Sequence, residues 1–354
     1  MGKWKQATLV FLSAVLILIT VGVWLSMKRD LLEKSDLVRI WSYLERNKPA
    51  DSAAIFLGSS RFISCIKTDI FAELSGVKPS RVLNLASDSA GPWEQLLICR
   101  RCPYLLESSP VLIVELEPWM FNKNLIHPLY KTPVPFNPHF YTWATLEERL
   151  EFPDPKTRVE LVIDYIWPYS QRRTIDDWIS LMDPVITGRK VEAELGPPRY
   201  HSLRAAHDWL ASNPDYEAHR IAQCHLNEFE FDELRARYFK RFLNLVEKKS
   251  KRIVLVLPPA RKEYVDEIYK NPKYVATYKE VLAFIHGLEN GKVHSIIWER
   301  TEDCQLDDSI FVDYGHFNLQ GARVFTKVLF KKINELGMIA GNERAKEGRI
   351  LGGS

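Results

Sequence analysis

Five short, almost wholly apolar segments set the strongest limit on how this chain can fold. They are separated by stretches with helical spacing, and several of them end in turn-forming glycine or proline residues. Strands that are apolar on both faces and alternate with helices form parallel sheets covered on both sides. The sequence therefore predicts an α/β fold, a three-layer α/β/α domain around a mostly parallel five-stranded sheet. The five predicted strands are residues 53–57, 81–87, 111–117, 251–259 and 293–299.

The predicted helices of this domain lie between and after the strands. They are residues 61–75, a helix that begins at Pro92, residues 262–288 and residues 319–336.

About 130 residues separate the third and fourth predicted strands, which is too long for a simple crossover connection. We therefore divide this part of the chain into an α/β domain made of residues 51–119 and 251–338 and a helical insertion or lid at 120–250. A polar tail at 339–354 is predicted to be disordered.

The first part of the chain has a different composition. Residues 7–27 contain no charged side chain, and at ~1.5 Å rise per residue a helix of this length crosses the ~30 Å hydrocarbon core of a bilayer. No small-residue cleavage site follows, which favours an uncleaved anchor over a removed signal peptide. We predict a transmembrane signal anchor at 1–28 and a juxtamembrane helix at 29–50. Basic residues flank both ends, and we expect the N-terminus inside and the body of the protein outside the cytoplasm.

Charge and cysteine spacing argue against a nucleic-acid-binding protein and against a zinc or redox protein. The formal net charge is only +3, which argues against a dedicated nucleic-acid-binding protein. Cys99 and Cys102 have the spacing of a redox or metal pair, but no second cysteine or histidine pair completes a zinc site. We interpret them as helix cysteines, and the sequence predicts neither a metal site nor a cofactor.

Polar side chains follow several of the predicted strands. Ser60 follows the first strand, Gly91 follows the second, and Trp119 follows the third. Asp313 and His316 come after the fifth strand, directly before the last predicted helix. Because ligands of open parallel sheets bind beyond the carboxyl ends of the strands, we expect these residues to lie at one edge.

The residue types fit nucleophilic catalysis. A serine hydroxyl becomes a useful nucleophile when an adjacent histidine takes its proton, and a carboxylate holds that histidine in one tautomer. The sequence thus suggests Ser60 as nucleophile, His316 as base and Asp313 as its orienting group. The backbone N–H groups of Ser60 and Gly91 are candidates to stabilise a developing oxyanion. The plainer alternative is that Gly-Ser-Ser is a turn and helix cap, and that Asp-x-x-His is a loop.

In this order and context the residues resemble the SGNH, or GDSL-type, hydrolases. The resemblance covers residues 53–119 and 251–337 and implies the same roles for Ser60, Asp313 and His316. It also implies an oxyanion donor at Gly91, with Ser89 or Ala90 as the alternatives in that register. The chain departs from the family pattern at Ser59, where the family usually has Asp, and at Trp119, where it usually has a donor Asn. The indole N–H of Trp119 is the candidate replacement for that donor. A Gly-Ser-Ser motif with a membrane anchor and a large insertion is similar to envelope acyltransferases such as the D-alanyl transfer protein and the alginate O-acetyltransferase group.

This resemblance implies a membrane-anchored serine esterase or O-acyltransferase that acts on an extracytoplasmic glycan or lipid through an acyl-serine intermediate. A polytopic membrane acyltransferase is a further expected partner. The alternative is a catalytically silent scaffold that binds a glycan or such a partner. Arg61 either binds an anionic group of the substrate or pairs with a carboxylate of the protein. We expect His219 and His225 to be solvated side chains on a charged helix.

Overall fold

The computed structural model describes residues 36–87, 90–108, 110–125, 214–226, 228–250 and 252–339, with isolated helical positions at 13, 146, 150 and 159. Apart from position 13, the predicted anchor at residues 1–28 lies outside the described residues. Most of the predicted insertion and residues 340–354 also lie outside them. Among the helices that the structure describes, none combines the length and apolar character needed to cross a membrane.

The described elements alternate between strands and helices. The strands are β1 (Ala54–Leu57), β2 (Val82–Asn84), β3 (Val111–Glu115), β4 (Arg252–Leu257) and β5 (Val293–Ile297). The helices are α1 (Asp36–Asn47), α2 (Ser60–Cys65), α3 (Thr68–Ser75), α4 (Pro92–Arg101), α5 (Pro214–Leu226), α6 (Glu233–Glu247), α7 (Lys262–Lys270), α8 (Pro272–His286) and α9 (Leu319–Glu335).

The five strands form one sheet in the order β2-β1-β3-β4-β5, and every pair of neighbours is parallel. This confirms the predicted α/β fold with a five-stranded parallel sheet. The central strand β3 pairs Ile113 with Phe56 of β1 and with Val254 of β4. Because β1 and β3 are neighbours, the residues that follow them meet at the carboxyl edge of the sheet.

Both faces of the central strands are buried. On one face, Phe56 and Val254 pack in a core that includes Phe325 of α9. The alternate residues Ile55 and Leu112 point to the other face and are 1% and 0% exposed. Strands buried on both faces account for the near-continuous apolar segments in the sequence.

Two of the predicted helices are broken in the structure. The predicted helix at 61–75 is divided into α2 and α3 by Ile66 and Lys67, which have extended backbone angles. The predicted helix at 262–288 is divided at Asn271, which precedes Pro272 and has φ −107° and ψ 109°. Proline disfavours the helical conformation of the residue before it, and here Asn271 then caps the new helix by accepting from the N–H of Lys273.

The chain divides into two compact units, Met1–Ser42 with Pro138–Gly196 and Tyr43–Asn137 with Pro197–Ser354. The second unit holds the whole sheet and also α5 and α6, which fall inside the predicted insertion. Helix α6 packs along α4, where the rings of Trp93 and Tyr238 lie 4.5 Å apart. The described C-terminal part of the predicted insertion is therefore part of the unit that carries the sheet.

Candidate active site

Ser60 lies in a tight turn at the carboxyl end of β1. Its predecessor Ser59 caps α2, because the Ser59 side chain accepts a hydrogen bond from the N–H of Arg61 at 3.2 Å. Ser60 is the first residue of α2 and is partly exposed, whereas Ser59 is 1% exposed. The turn thus presents the second serine hydroxyl to the edge of the sheet and buries the first.

Asp313 and His316 lie in a closed loop just before α9. Its ends are joined by an antiparallel bridge between Phe311 and Phe317. Inside the loop, one carboxylate oxygen of Asp313 accepts from the N–H groups of Gly315 and His316 at 2.9 and 2.8 Å. The short polar side chain of Asp313 therefore folds its own loop, as aspartate does in Asx turns.

The three predicted catalytic side chains meet across this edge. The Ser60 Oγ lies 2.8 Å from Nε2 of His316, although 256 positions separate the two residues in the chain. The Nδ1 of His316 lies 2.7 Å from Oδ2 of Asp313. This is the order of hydroxyl, imidazole and carboxylate that is found in serine-dependent acyl transfer.

The electrostatics of the pair stabilise its charged form. Burial lowers the pKa of His316, but the facing Asp313 carboxylate outweighs this effect and leaves that pKa above its ordinary value. Burial would raise the pKa of Asp313, but the His316 charge and the hydrogen bonds to this carboxylate hold it well below its ordinary value. Asp313 is thus ionised near neutral pH, and its second oxygen fixes the proton of His316 on Nδ1.

Gly91 does not offer the predicted oxyanion donor in this structure. Its N–H donates to the Glu94 carboxylate at 2.8 Å, an interaction that begins α4. The N–H of the neighbouring Ala90 donates to the carbonyl of Ser87 at 3.1 Å. Ser89, the other alternative to Gly91 as oxyanion donor, lies outside the described residues.

The indole N–H of Trp119 also forms a hydrogen bond within the protein. Its indole N–H donates to a Glu117 carboxylate oxygen at 2.6 Å, and the residue is 8% exposed. The proposed replacement of the family asparagine by this indole is therefore not supported by the arrangement. Among the candidate donors that the structure describes, the backbone N–H of Ser60 is the one that forms no hydrogen bond with another described group.

Arg61 is 2% exposed and turns away from the surface. Its guanidinium donates to Glu117, to the carbonyl of Gly315, and to the carbonyls of Pro258 and Pro259. These contacts match the second of the two roles predicted for Arg61, that of pairing with a carboxylate. Contact with an anionic substrate is inconsistent with this burial.

The two histidines of α5 differ from each other. His219 is exposed and pairs with Glu267 at 2.8 Å, in agreement with the predicted solvated side chain. For His225 the prediction is wrong, because this residue is 4% exposed and its ring stacks on Trp119 at 5.4 Å. The hydrophobic spacing of α5 could have signalled this, since Ala218, Ala222 and His225 follow one another on a single buried face.

Cys99 and Cys102 are buried free thiols at the end of α4. Burial raises the pKa of Cys99 to about 12, which leaves the thiol protonated and unreactive. In the ranges that the structure describes, no three His, Cys, Asp or Glu side chains are placed to hold a metal ion together.

Comparison with models of protein families and with curated proteins finds no significant match to this sequence.

Proposed function

We propose that this chain is a serine esterase or O-acyltransferase of the SGNH type. The observation that carries the proposal is the hydrogen-bonded series of Ser60, His316 and Asp313 at the carboxyl edge of a parallel sheet. A partly exposed serine whose hydroxyl contacts an oriented histidine is the arrangement that activates an alcohol for attack on an ester.

The reaction follows from the positions of the protons. As the Ser60 oxygen attacks the ester carbonyl, its proton passes to Nε2 of His316, and Asp313 stabilises the resulting imidazolium. His316 then returns this proton to the departing alcohol, which leaves the acyl group on Ser60. A water molecule or a second hydroxyl, activated by His316 in the same way, releases the acyl group and restores Ser60.

The proposed substrate is an extracytoplasmic glycan or lipid, handled by a protein anchored in the membrane. The uncharged sequence at residues 7–27 and the resemblance to envelope acyltransferases support this location and substrate class. A polytopic membrane acyltransferase that delivers the acyl group is the proposed partner.

The second candidate function is a catalytically silent scaffold that binds a glycan or such a partner. The scaffold function is favoured by the hydrogen bonds that the Gly91 N–H and the Trp119 indole N–H already make within the protein. Of the candidate oxyanion donors that the structure describes, this leaves the Ser60 N–H free. Removing one oxyanion donor from a serine hydrolase costs about 10²- to 10³-fold in turnover, so a site without its full set is a weak catalyst.

Ester turnover by the full-length chain in mild detergent separates the two candidates. The enzyme proposal predicts release of p-nitrophenol from p-nitrophenyl acetate, lost in Ser60→Ala and kept in Ser75→Ala. Ser75 is a matched control, because its hydroxyl bonds only to carbonyls of its own helix α3. Adding a short glycan distinguishes transfer, which yields an acetylated sugar, from hydrolysis. Turnover equal in wild type and Ser60→Ala would contradict the enzyme proposal and leave the scaffold.

A further inference from the structure

We propose that Arg61, Glu115 and Glu117 form a buried positioning network that sets the contact between Ser60 and His316. The inference rests on the proposed function, since it concerns the geometry of the same site. These three residues are 2%, 0% and 2% exposed, so they cannot touch a substrate and act only through the groups they hold.

Glu115, the last residue of β3, holds the turn that carries the nucleophile. One of its oxygens accepts from the N–H of Ser59 at 2.6 Å, and the other lies 2.8 Å from the Ser59 hydroxyl. The same hydroxyl accepts from the N–H of Arg61. Ser60 lies between Ser59, which is bound to Glu115, and Arg61, whose N–H is bound to Ser59. These hydrogen bonds fix the backbone on both sides of Ser60.

Arg61 holds the loop that carries the base. Its Nε donates to the carbonyl of Gly315, the residue directly before His316, at 3.0 Å. Its Nη1 donates to Glu117 at 2.5 Å, which ties the guanidinium to the end of β3. Through its other contacts, to the carbonyls of Pro258 and Pro259, the guanidinium also bonds to the end of β4. One side chain thus joins the nucleophile helix, two strand ends and the histidine loop.

Two glycines show how closely the network is fitted. A Cβ on Gly58 would lie 2.7 Å from the Cβ of Glu115, and a Cβ on Gly315 would lie 2.7 Å from Nε of Arg61. Real Cβ atoms do not approach other atoms so closely. The turn before Ser60 and the loop before His316 therefore each require glycine at the point where a network side chain lies against the backbone.

The charges of the network balance when Glu115 is protonated. Burial and the adjacent Glu117 carboxylate raise the pKa of Glu115 well above its ordinary value, against the opposing effects of Arg61 and the Ser59 N–H. A neutral Glu115 leaves Arg61 and Glu117 as one buried ion pair and avoids a second buried anion. Glutamine, which is neutral and of nearly the same shape, is therefore the conservative replacement for Glu115.

The Ser60–His316 contact can be measured directly and without a substrate, by NMR of the histidine ring. The full-length chain is labelled with ¹⁵N-histidine, and the Nε2 chemical shift of His316 is measured in wild type and in Ser60→Ala, which lacks the contact. The proposal predicts that Glu115→Ala moves this shift to the Ser60→Ala value and that Glu115→Gln keeps the wild-type value. Cooperative thermal unfolding shows which variants are folded.

If Glu115→Ala does not fold, Ser59→Ala takes its place, since it removes the hydroxyl that joins Glu115 to the N–H of Arg61 and should move the shift part of the way. A folded Glu115→Ala, or in its place a folded Ser59→Ala, with the wild-type shift would overturn the proposal. Identical shifts in wild type and Ser60→Ala would overturn it as well, because there would be no contact to position. Absence of ester turnover in the wild type would contradict the proposed function alone. It would not affect the proposal that the network positions the Ser60–His316 contact.

Discussion

His316 sets the pH range in which the proposed site can work. Its Nε2 must be unprotonated to accept the proton of Ser60, so the site is inactive below the pKa of His316 and active above it. Burial and Arg61 lower this pKa, whereas Asp313 and Glu117 raise it. The net effect is upward, because Asp313 is in direct contact with the ring.

The acidic limb of the pH profile is therefore expected above the value of about 6.5 that is ordinary for histidine. In Asp313→Asn the main group that raises the pKa is removed, so the limb should move to lower pH. The rate on the plateau should fall about 10³- to 10⁴-fold, because His316 also loses the group that fixes its tautomer. Measuring ester turnover from pH 5 to 9 checks both effects, and a limb that stays in place would show that Asp313 does not influence His316.

At the scale of single residues, the sequence predicted the side chains that follow strands but not the groups that support them. Ser60, Asp313 and His316 stand next to turn signals, so their position in the fold could be inferred. Glu115 lies within an apolar strand, where one carboxylate gives no sign that it reaches the neighbouring turn. The hydrogen bond from the Gly91 N–H could not be predicted either, because it depends on the side-chain conformation of Glu94.

At the scale of elements, the turn between β1 and α2 depends on its fit against the end of β3. A methyl group at position 58 meets Glu115, which is fixed in the sheet. The free energy of unfolding of Gly58→Ala should fall by about 1–3 kcal/mol, as in other overpacked cores.

Gly291→Ala is the matched control for this change. A Cβ at position 291 has no atom within 4 Å, so this variant should remain within about 0.5 kcal/mol of wild type. Urea unfolding of the full-length chain measures both variants. Equal stability of the two would show that Glu115 can move away from the turn at little cost.

The strands were easier to predict than the helices. Burial on both faces gives a strand a short, wholly apolar sequence such as that of β1, and all five were located. Helix breaks depend on single residues, such as Asn271 before Pro272, within stretches that keep a helical spacing on either side. The packing of α6 on α4 was missed because the charged, exposed face of α6 dominates its sequence, while Phe239 and Phe242 on its other face are fully buried.

At the scale of the whole molecule, the proposed substrate requires the sheet-bearing unit to lie outside the cytoplasm. Fusion of alkaline phosphatase after Ser354 should give an active enzyme in bacterial cells, since this reporter folds only in an oxidising compartment. The same fusion to a chain that lacks residues 1–28 should be inactive. Activity of a cytoplasmic reporter, such as β-galactosidase, in the full-length fusion would contradict both the orientation and the envelope substrate.

The assignment of Ser60 as the nucleophile is tested by locating the covalent adduct of a fluorophosphonate probe on the full-length chain. Trypsin releases residues 47–61, a peptide that contains both Ser59 and Ser60 and ends at Arg61. In tandem mass spectrometry of this peptide, we expect the C-terminal fragment ion Ser60–Arg61 to carry the mass of the adduct. We also expect labelling to fall at least ~10³-fold in Ser60→Ala and far less in Ser59→Ala. An adduct on Ser59, or no adduct on either serine in the folded wild-type protein, would contradict the assignment of Ser60 as the nucleophile.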